Sequence, residues 1–171
     1  ILSQWAKHLG ATVIGTVGSD EKAKLAKAHG CAHTIVYTRE DFVARTREIT
    51  GGKGVRVVYD SIGNDTFPGS LDCLKPMGMW VCFGQASGPI PPFNMGILAQ
   101  KGSLFATRPT LMTYTAKRAD LVTSANALFK MVESGKVKIE INQTYPLSKV
   151  ADAHRDLEAR KTTGSTVLLP G

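Results

Sequence analysis

Gly18, Ser19 and Lys22 stand where an apolar, β-branched run gives way to a polar one, in the string Val17-Gly18-Ser19-Asp20-Glu21-Lys22. Those residue types at that spacing suit an oxyanion. A glycine lets a ligand approach the backbone closely, a serine hydroxyl can donate to a phosphate oxygen, and a lysine one turn further on adds a positive charge. A helix starting at Ser19 would add its free N–H groups and its dipole, both favouring a negative ligand. The alternative is a plain turn, with Ser19 as a helix cap and Lys22 in solvent. These residues alone leave the two open. Similar small or aromatic residues end other apolar runs: Tyr37, Ser61 in Asp60-Ser61-Ile62-Gly63, and Phe83-Gly84-Gln85-Ala86. Tyr37 could meet a ligand or simply cover the core.

Other chemistries find no support. There is no Gly-x-Ser-x-Gly elbow and no Walker phosphate loop. Gly51-Gly52-Lys53-Gly54 closes a helical stretch and leads into a strand, the reverse of what a phosphate loop needs. No paired carboxylates suggest acid/base work, so no catalytic acid, base or nucleophile is nominated. Cys31, Cys73 and Cys82 lie far apart and His8, His29, His33 and His154 are scattered, so no metal site is expected. The odd cysteine count suggests free thiols in a reducing compartment, and a cytoplasmic location is the expectation. The net charge of +7 is spread along helical segments. That reads as solvated faces or as the complement of a phosphate-rich ligand. Aromatic residues do not interleave with basic ones as a single-strand stacking platform requires, so nucleic acid is the lesser reading. No apolar run reaches the roughly 20 residues of a membrane span.

The elements that must position these residues alternate. Strands are predicted at 11–17, 33–37, 55–60, 79–84, 103–108 and 165–169. Helices are predicted at about 20–29, 38–50, 63–74, 95–100 and 116–133, with a last one capped by Ser148. The 11–17 run reads as a buried strand. Leu121, Val122, Ala125, Leu128, Phe129 and Val132 mark one apolar face of the longest helix. Ile1 to Leu9 shows the i, i+3, i+4 spacing of a buried helical face. The pattern implies an α/β fold, a doubly wound parallel sheet with helices on both faces. Because Ile1 reads as the middle of a helix, the expectation is that a central strand and a glycine-rich loop precede it. Ligands of such sheets bind at the carboxyl ends of the strands. A cofactor lacking a 2′-phosphate usually meets an acid at the end of the second strand. Here Thr16-Val17-Gly18 stands in that place and the first acids, Asp20 and Glu21, are displaced into the helix. That favours NADPH over NADH.

Several strings resemble the NADPH-dependent quinone oxidoreductases, the zinc-independent branch of the medium-chain dehydrogenase/reductase superfamily that includes zeta-crystallin. They are Gln4-Trp5-Ala6-Lys7 with Leu9-Gly10-Ala11, Gly15-Thr16-Val17-Gly18 with Lys22, Ile49-Thr50-Gly51-Gly52-Lys53, and Val57-Val58-Tyr59-Asp60-Ser61. Further on come Ser70-Leu71-Asp72-Cys73-Leu74, Phe83-Gly84, Lys101-Gly102-Ser103-Leu104 and Thr107-Arg108-Pro109. The resemblance runs the whole length. It implies that residues 1–171 form one Rossmann-type cofactor domain lacking its first strand and pyrophosphate loop, with the catalytic domain outside the chain.

By that resemblance Gly18, Ser19 and Lys22 form the 2′-phosphate site, and Tyr37 lies at the adenosine end. Ser61 lies under the cofactor. Phe83, Gly84, Gln85 and Ala86 flank the nicotinamide half, the last two through their backbone. Pro109, Thr110 and Leu111 close over it, and Arg160 reaches the cofactor from near the chain end. Hydride would pass from NADPH to a quinone, and the resemblance implies a homodimer formed through this domain, with strand 103–107 a plausible edge. The rival readings are an enoyl or enone reductase of the same superfamily and an RNA-binding, crystallin-type protein.

Overall fold

Parallel pairing organises the chain into three small sheets. A computed structural model describes all residues from Ile1 to Gly171. The first sheet pairs β1 (Ile14–Val17) with β2 (His33–Val36), Ile14 opposite His33 and Val17 opposite Val36. The second places β4 (Leu74–Cys82) between β3 (Val55–Asp60) and β5 (Phe105–Thr107). The third pairs β6 (Ile141–Pro146) with β7 (Ser165–Leu169). Each parallel pair is joined by a crossover containing a helix, as parallel strands require. These helices are α2 (Asp20–Ala28), α4 (Gly69–Asp72), α5 (Gly96–Gln100) and α8 (Val150–Glu158). With α3 (Phe42–Ile49) and α7 (Arg118–Glu133) they give the expected class, a Rossmann-like parallel sheet with helices on both sides. β1 and β3 are each paired on one side only.

The main core lies under the second sheet. Leu71, Leu74, Trp80, Cys82 and Leu104 are buried together, with Val55, Val58, Phe67, Ile97 and Leu98 packed around them. Phe67 stacks on Trp80 at 5.5 Å between ring centroids, and Phe93 leans on Phe67 at 4.9 Å. Each fully buried Leu in such a cluster contributes about 1.5–3 kcal/mol. Ile35 and Val36 of β2 are buried with Ala23 of α2 and Cys31.

Several expectations needed correction. The 63–74 helix is broken into a 3-10 turn at Asn64–Thr66 and the short α4, because Pro68 offers no N–H and its ring obstructs a continuous helix. The last helix is not capped by Ser148. That residue lies in a 3-10 turn, Leu147–Lys149, and Lys149 occupies the N-cap without a side-chain bond. β6 makes seven strands rather than six; its polar side chains gave no apolar alternation to read. A short helix α6 (Leu111–Tyr114) was also unanticipated. The apolar faces of α1 (Leu2–His8) and α7 bury no residue, and β1, packed against α2 and β2 on one side, is only half-buried.

Candidate functional site

Five of the expected residues meet at the end of the first sheet. β1 stops at Val17, and Ser19, in extended conformation, caps α2 by accepting from the Lys22 N–H at 3.3 Å. Gly18 sits against Tyr37: a Cβ placed at Gly18 would lie 2.9 Å from the tyrosine oxygen, so only glycine leaves that hydroxyl in place. The Thr38 hydroxyl donates to the Gly18 carbonyl at 3.3 Å and ties the two strand ends together. Lys22 Nζ donates to the Arg160 carbonyl at 2.9 Å, and Arg160 Nη1 donates to Tyr37 Oη at 3.4 Å. Thus Gly18, Ser19, Lys22, Tyr37 and Arg160 converge across up to 138 residues of sequence. Arg160 holds a left-handed backbone, φ 59°, just beyond α8.

The electrostatics of this cluster suit a phosphate. Neither Lys22 nor Arg160 has a carboxylate partner. Asp20, the first acid after β1, is turned to Arg39, whose Nη1 and Nη2 donate to its two oxygens at 2.8 and 2.6 Å. That hydrogen-bonded guanidinium holds the Asp20 carboxyl below the usual carboxylate range. Glu21 is held below its usual range by its own backbone N–H and by the Ser19 hydroxyl, so an anion already sits at this helix start. A cleft of about 520 Å³ adjoins Lys22, lined also by Gln4, Val17, Leu25, His29 and Asn142. Lys22, Arg160 and the Tyr37 hydroxyl are donors of the kind that bind an exposed phosphate monoester, while the Ser19 hydroxyl is engaged with Glu21.

A second group forms at the carboxyl ends of β3 and β4. Asp60 is buried at 4 % exposure and accepts five hydrogen bonds. The donors are the N–H groups of Ile62 (2.8 Å) and Gly63 (3.2 Å), the hydroxyls of Thr66 and Ser70 (both 2.8 Å), and the Trp80 indole (3.2 Å). Burial pushes its carboxyl up, but Ser70, Thr66 and the two N–H groups together outweigh burial and hold it below the usual range. The loop so fixed carries Ser61. Ala86 N–H donates to the Ser61 carbonyl at 3.1 Å and Ser87 N–H to that of Ile62 at 2.9 Å, laying Phe83–Ala86 along it. A Cβ at Gly84 would meet the Ser61 oxygen at 2.5 Å. Ser61, Phe83, Gly84, Gln85 and Ala86 are therefore one unit, with Phe83 edge-on to Tyr59 at 6.5 Å. Pro109, half-buried, and the exposed Thr110 and Leu111 follow β5 at the same end of this parallel sheet, leading into α6. No hydrogen bond ties them to the other two loops.

Sequence reasoning missed Thr38 and Arg39, and it took Asp60 only as a strand end. The contact of Arg39 with Asp20 follows from the fold, since β1 and β2 run parallel with Val17 opposite Val36 and the segments after them carry Asp20 and Arg39. No three or more His, Cys, Asp or Glu side chains are grouped to hold a metal ion.

Known proteins similar to this chain match it over nearly its whole length. The quinone oxidoreductase of Pseudomonas aeruginosa is 54 % identical over 167 residues, which are 98 % of this chain and 51 % of that protein. A 2-haloacrylate reductase from a Burkholderia species is 50 % identical over 99 % of this chain and 51 % of its own length. Among solved structures, Escherichia coli quinone oxidoreductase complexed with NADPH superposes with a TM-score of 0.95 at 50 % identity, over 99 % of this chain and 53 % of that one. The chain thus spans about half the length of the relatives it matches. Residues 1–126 match the family model described as zinc-binding dehydrogenase, and the chain belongs to that family.

Proposed function

We propose that residues 1–171 are the NADPH-binding portion of a zinc-independent quinone oxidoreductase. The observation that carries this reading is the convergence of Ser19, Lys22, Tyr37 and Arg160 with no carboxylate on either cation. The 50 % identity to a protein solved with NADPH supports the choice of cofactor. Lys22 and Arg160 would neutralise the 2′-phosphate, and Ser19 and Tyr37 would complete its hydrogen bonds. Gly18 leaves room for the ribose. Ser61 and the Phe83–Ala86 backbone would form the floor beside the nicotinamide, with Thr110 and Leu111 covering it. The bound dinucleotide supplies the hydride. The residues of this chain bind and orient it, and none acts as acid, base or nucleophile.

Pairing into a homodimer would use β5, whose Phe105 is 57 % exposed and whose outer edge is unpaired. Sedimentation of the full chain at monomer mass would count against it. A reducing, cytoplasmic setting suits Cys31, Cys73 and Cys82, which are free thiols.

The second reading is reduction of a conjugated C=C bond, favoured by the similarity to a 2-haloacrylate reductase at nearly the same identity. Oxidation of NADPH by the intact enzyme, with the catalytic domain that residues 1–171 lack, separates the two; residues 1–171 alone are expected to turn over neither. Turnover with 1,4-quinones and little with conjugated acids or enoyl thioesters is the expected result. The reverse preference would transfer the assignment to the second reading.

A further inference from the structure

Gln4 belongs to the string Gln4-Trp5-Ala6-Lys7, which the proposed function leaves unused. From α1 its side-chain amide pairs with the backbone of Lys138. Nε2 donates to the Lys138 carbonyl at 3.0 Å, and Oε1 accepts from the Lys138 N–H at 2.9 Å. Both main-chain groups of one residue are thus met by one side chain, as the two bonds of an antiparallel strand pair would meet them. Val137, the preceding residue, is buried at 1 % exposure. That burial fixes the segment at one point, and the paired bonds to Lys138 fix its direction. Five hydrogen bonds join residues 1–40 to residues 134–171, all through side chains, and two of them are Gln4's. The other bond to this segment, His29 Nε2 with Glu140 Oε1, is long at 3.4 Å.

The clamped segment seats the loop that carries Arg160. The Glu140 carbonyl accepts from the Ser165 N–H at 2.7 Å, and a Cβ on Gly164 would lie only 2.6 Å from that oxygen. Asn142 donates to the Thr163 hydroxyl at 3.0 Å, and the Thr163 N–H donates to Gln143 Oε1 at 3.4 Å. Residues 163–165 are therefore fixed to residues 140–143 by backbone and side chains together. Arg160 lies three residues before Thr163, a span of at most about 10 Å, so a shift of the seat reaches it. Its carbonyl accepts from Lys22, and its guanidinium meets Tyr37 at 3.4 Å, close to the limit of hydrogen bonding. A small displacement is enough to separate that last pair.

We infer that Gln4 is a positioning residue for the NADPH site, clamping the segment before β6 on which the loop carrying Arg160 is seated. The inference rests on the 2′-phosphate reading above.

The test is a double-mutant cycle between Gln4 and Arg160, read as the dissociation constants of NADPH and NADH by titration calorimetry on the intact enzyme. The variants are Gln4→Met, Arg160→Ala and the two combined. Methionine keeps the length and the helix propensity of glutamine and removes both bonds. Gln4 is only half-buried, so folding should survive, and thermal melts verify it. Gln4→Glu, which keeps the acceptor for the Lys138 N–H and loses the donor, is the milder second variant. Gln4→Met is expected to lose about fivefold in NADPH affinity, the scale of one to two net hydrogen bonds, with NADH within about twofold of wild type. Gln4→Glu should fall between wild type and Gln4→Met. In the Arg160→Ala background Gln4→Met should cost less than about twofold, because the residue it positions is gone. Equal losses for the two dinucleotides would overturn the inference, since a merely structural role weakens both. An undiminished loss in the Arg160→Ala background would overturn it as well. Arg160→Ala separates this failure from that of the underlying reading. If it shifts the NADPH to NADH ratio and Gln4→Met does not, only the role of Gln4 is wrong. If Arg160→Ala leaves the ratio unchanged, the 2′-phosphate site is misplaced and the inference falls with it.

Discussion

Single residues carry opposite burdens at the two ends of the site. At the first sheet the cations Lys22 and Arg160 have no carboxylate partner; at the second, Asp60 is buried and wholly spent on holding a loop. Its carboxyl titrates lower in the folded protein than in the unfolded chain, where about 3.9 is normal. The stabilisation is therefore complete above the unfolded value and is lost as pH falls through the folded one. Asp60→Asn is expected to destabilise the protein by roughly 2–3 kcal/mol near neutral pH, the scale of hydrogen bonds to a charged group. The gap between variant and wild type should narrow on acidification below about pH 4. Denaturant melts across pH check this, and a gap that is constant with pH would mean that charge is not what holds the loop. Ser19 and Lys22 were legible as a possible anion site from their spacing alone. Arg160 was not, since only the tertiary fold brings it 138 residues back to Lys22.

At the scale of elements, the site depends on how tightly neighbouring strand-end loops approach. The segments around Ser61 and Gly84 touch backbone to backbone, and a Cβ at Gly84, only 2.5 Å from the Ser61 oxygen, would have no room. Gly84→Ala should cost about 1–3 kcal/mol, the range for overpacking a filled interior. It should weaken NADPH and NADH alike, since the loop lies away from the phosphate cluster. A lower melting temperature with an equal drop in both affinities is the expected pair of results; a selective loss of NADPH would contradict the placement of this loop. Strands were legible where they are apolar: β2, β3 and the latter half of β4 match their expected spans closely. β6 escaped because none of its residues is buried and its sequence, Ile-Asn-Gln-Thr-Tyr-Pro, carries no apolar run or alternation. The helix after β3 failed for a local reason, Pro68, that outweighed its apolar spacing.

At the scale of the molecule, the two site clusters lie on separate sheets, and β1 and β3 are each paired on one side only. The sequence implied the parallel α/β class through alternation alone, whereas the resemblance supplied which strand ends face which part of a dinucleotide. The C-terminal part of the chain is tied back to the N-terminal part by side chains: Gln4 of α1 exchanges two hydrogen bonds with Lys138, just before β6, at 3.0 and 2.9 Å, and Arg160, beyond α8, reaches Lys22 and Tyr37 at the end of the first sheet. The cofactor preference is thus a property of the assembled chain rather than of one motif. The most direct measurement is the ratio of NADPH to NADH affinity for the full chain, compared with that of Lys22→Ala. A charge-assisted hydrogen bond contributes about 1.5–3 kcal/mol. Wild type is therefore expected to bind NADPH at least about tenfold more tightly than NADH, and Lys22→Ala to lose at least about tenfold for NADPH with little change for NADH. Equal affinity for the two dinucleotides, or equal losses in the variant, would contradict a 2′-phosphate site at Lys22.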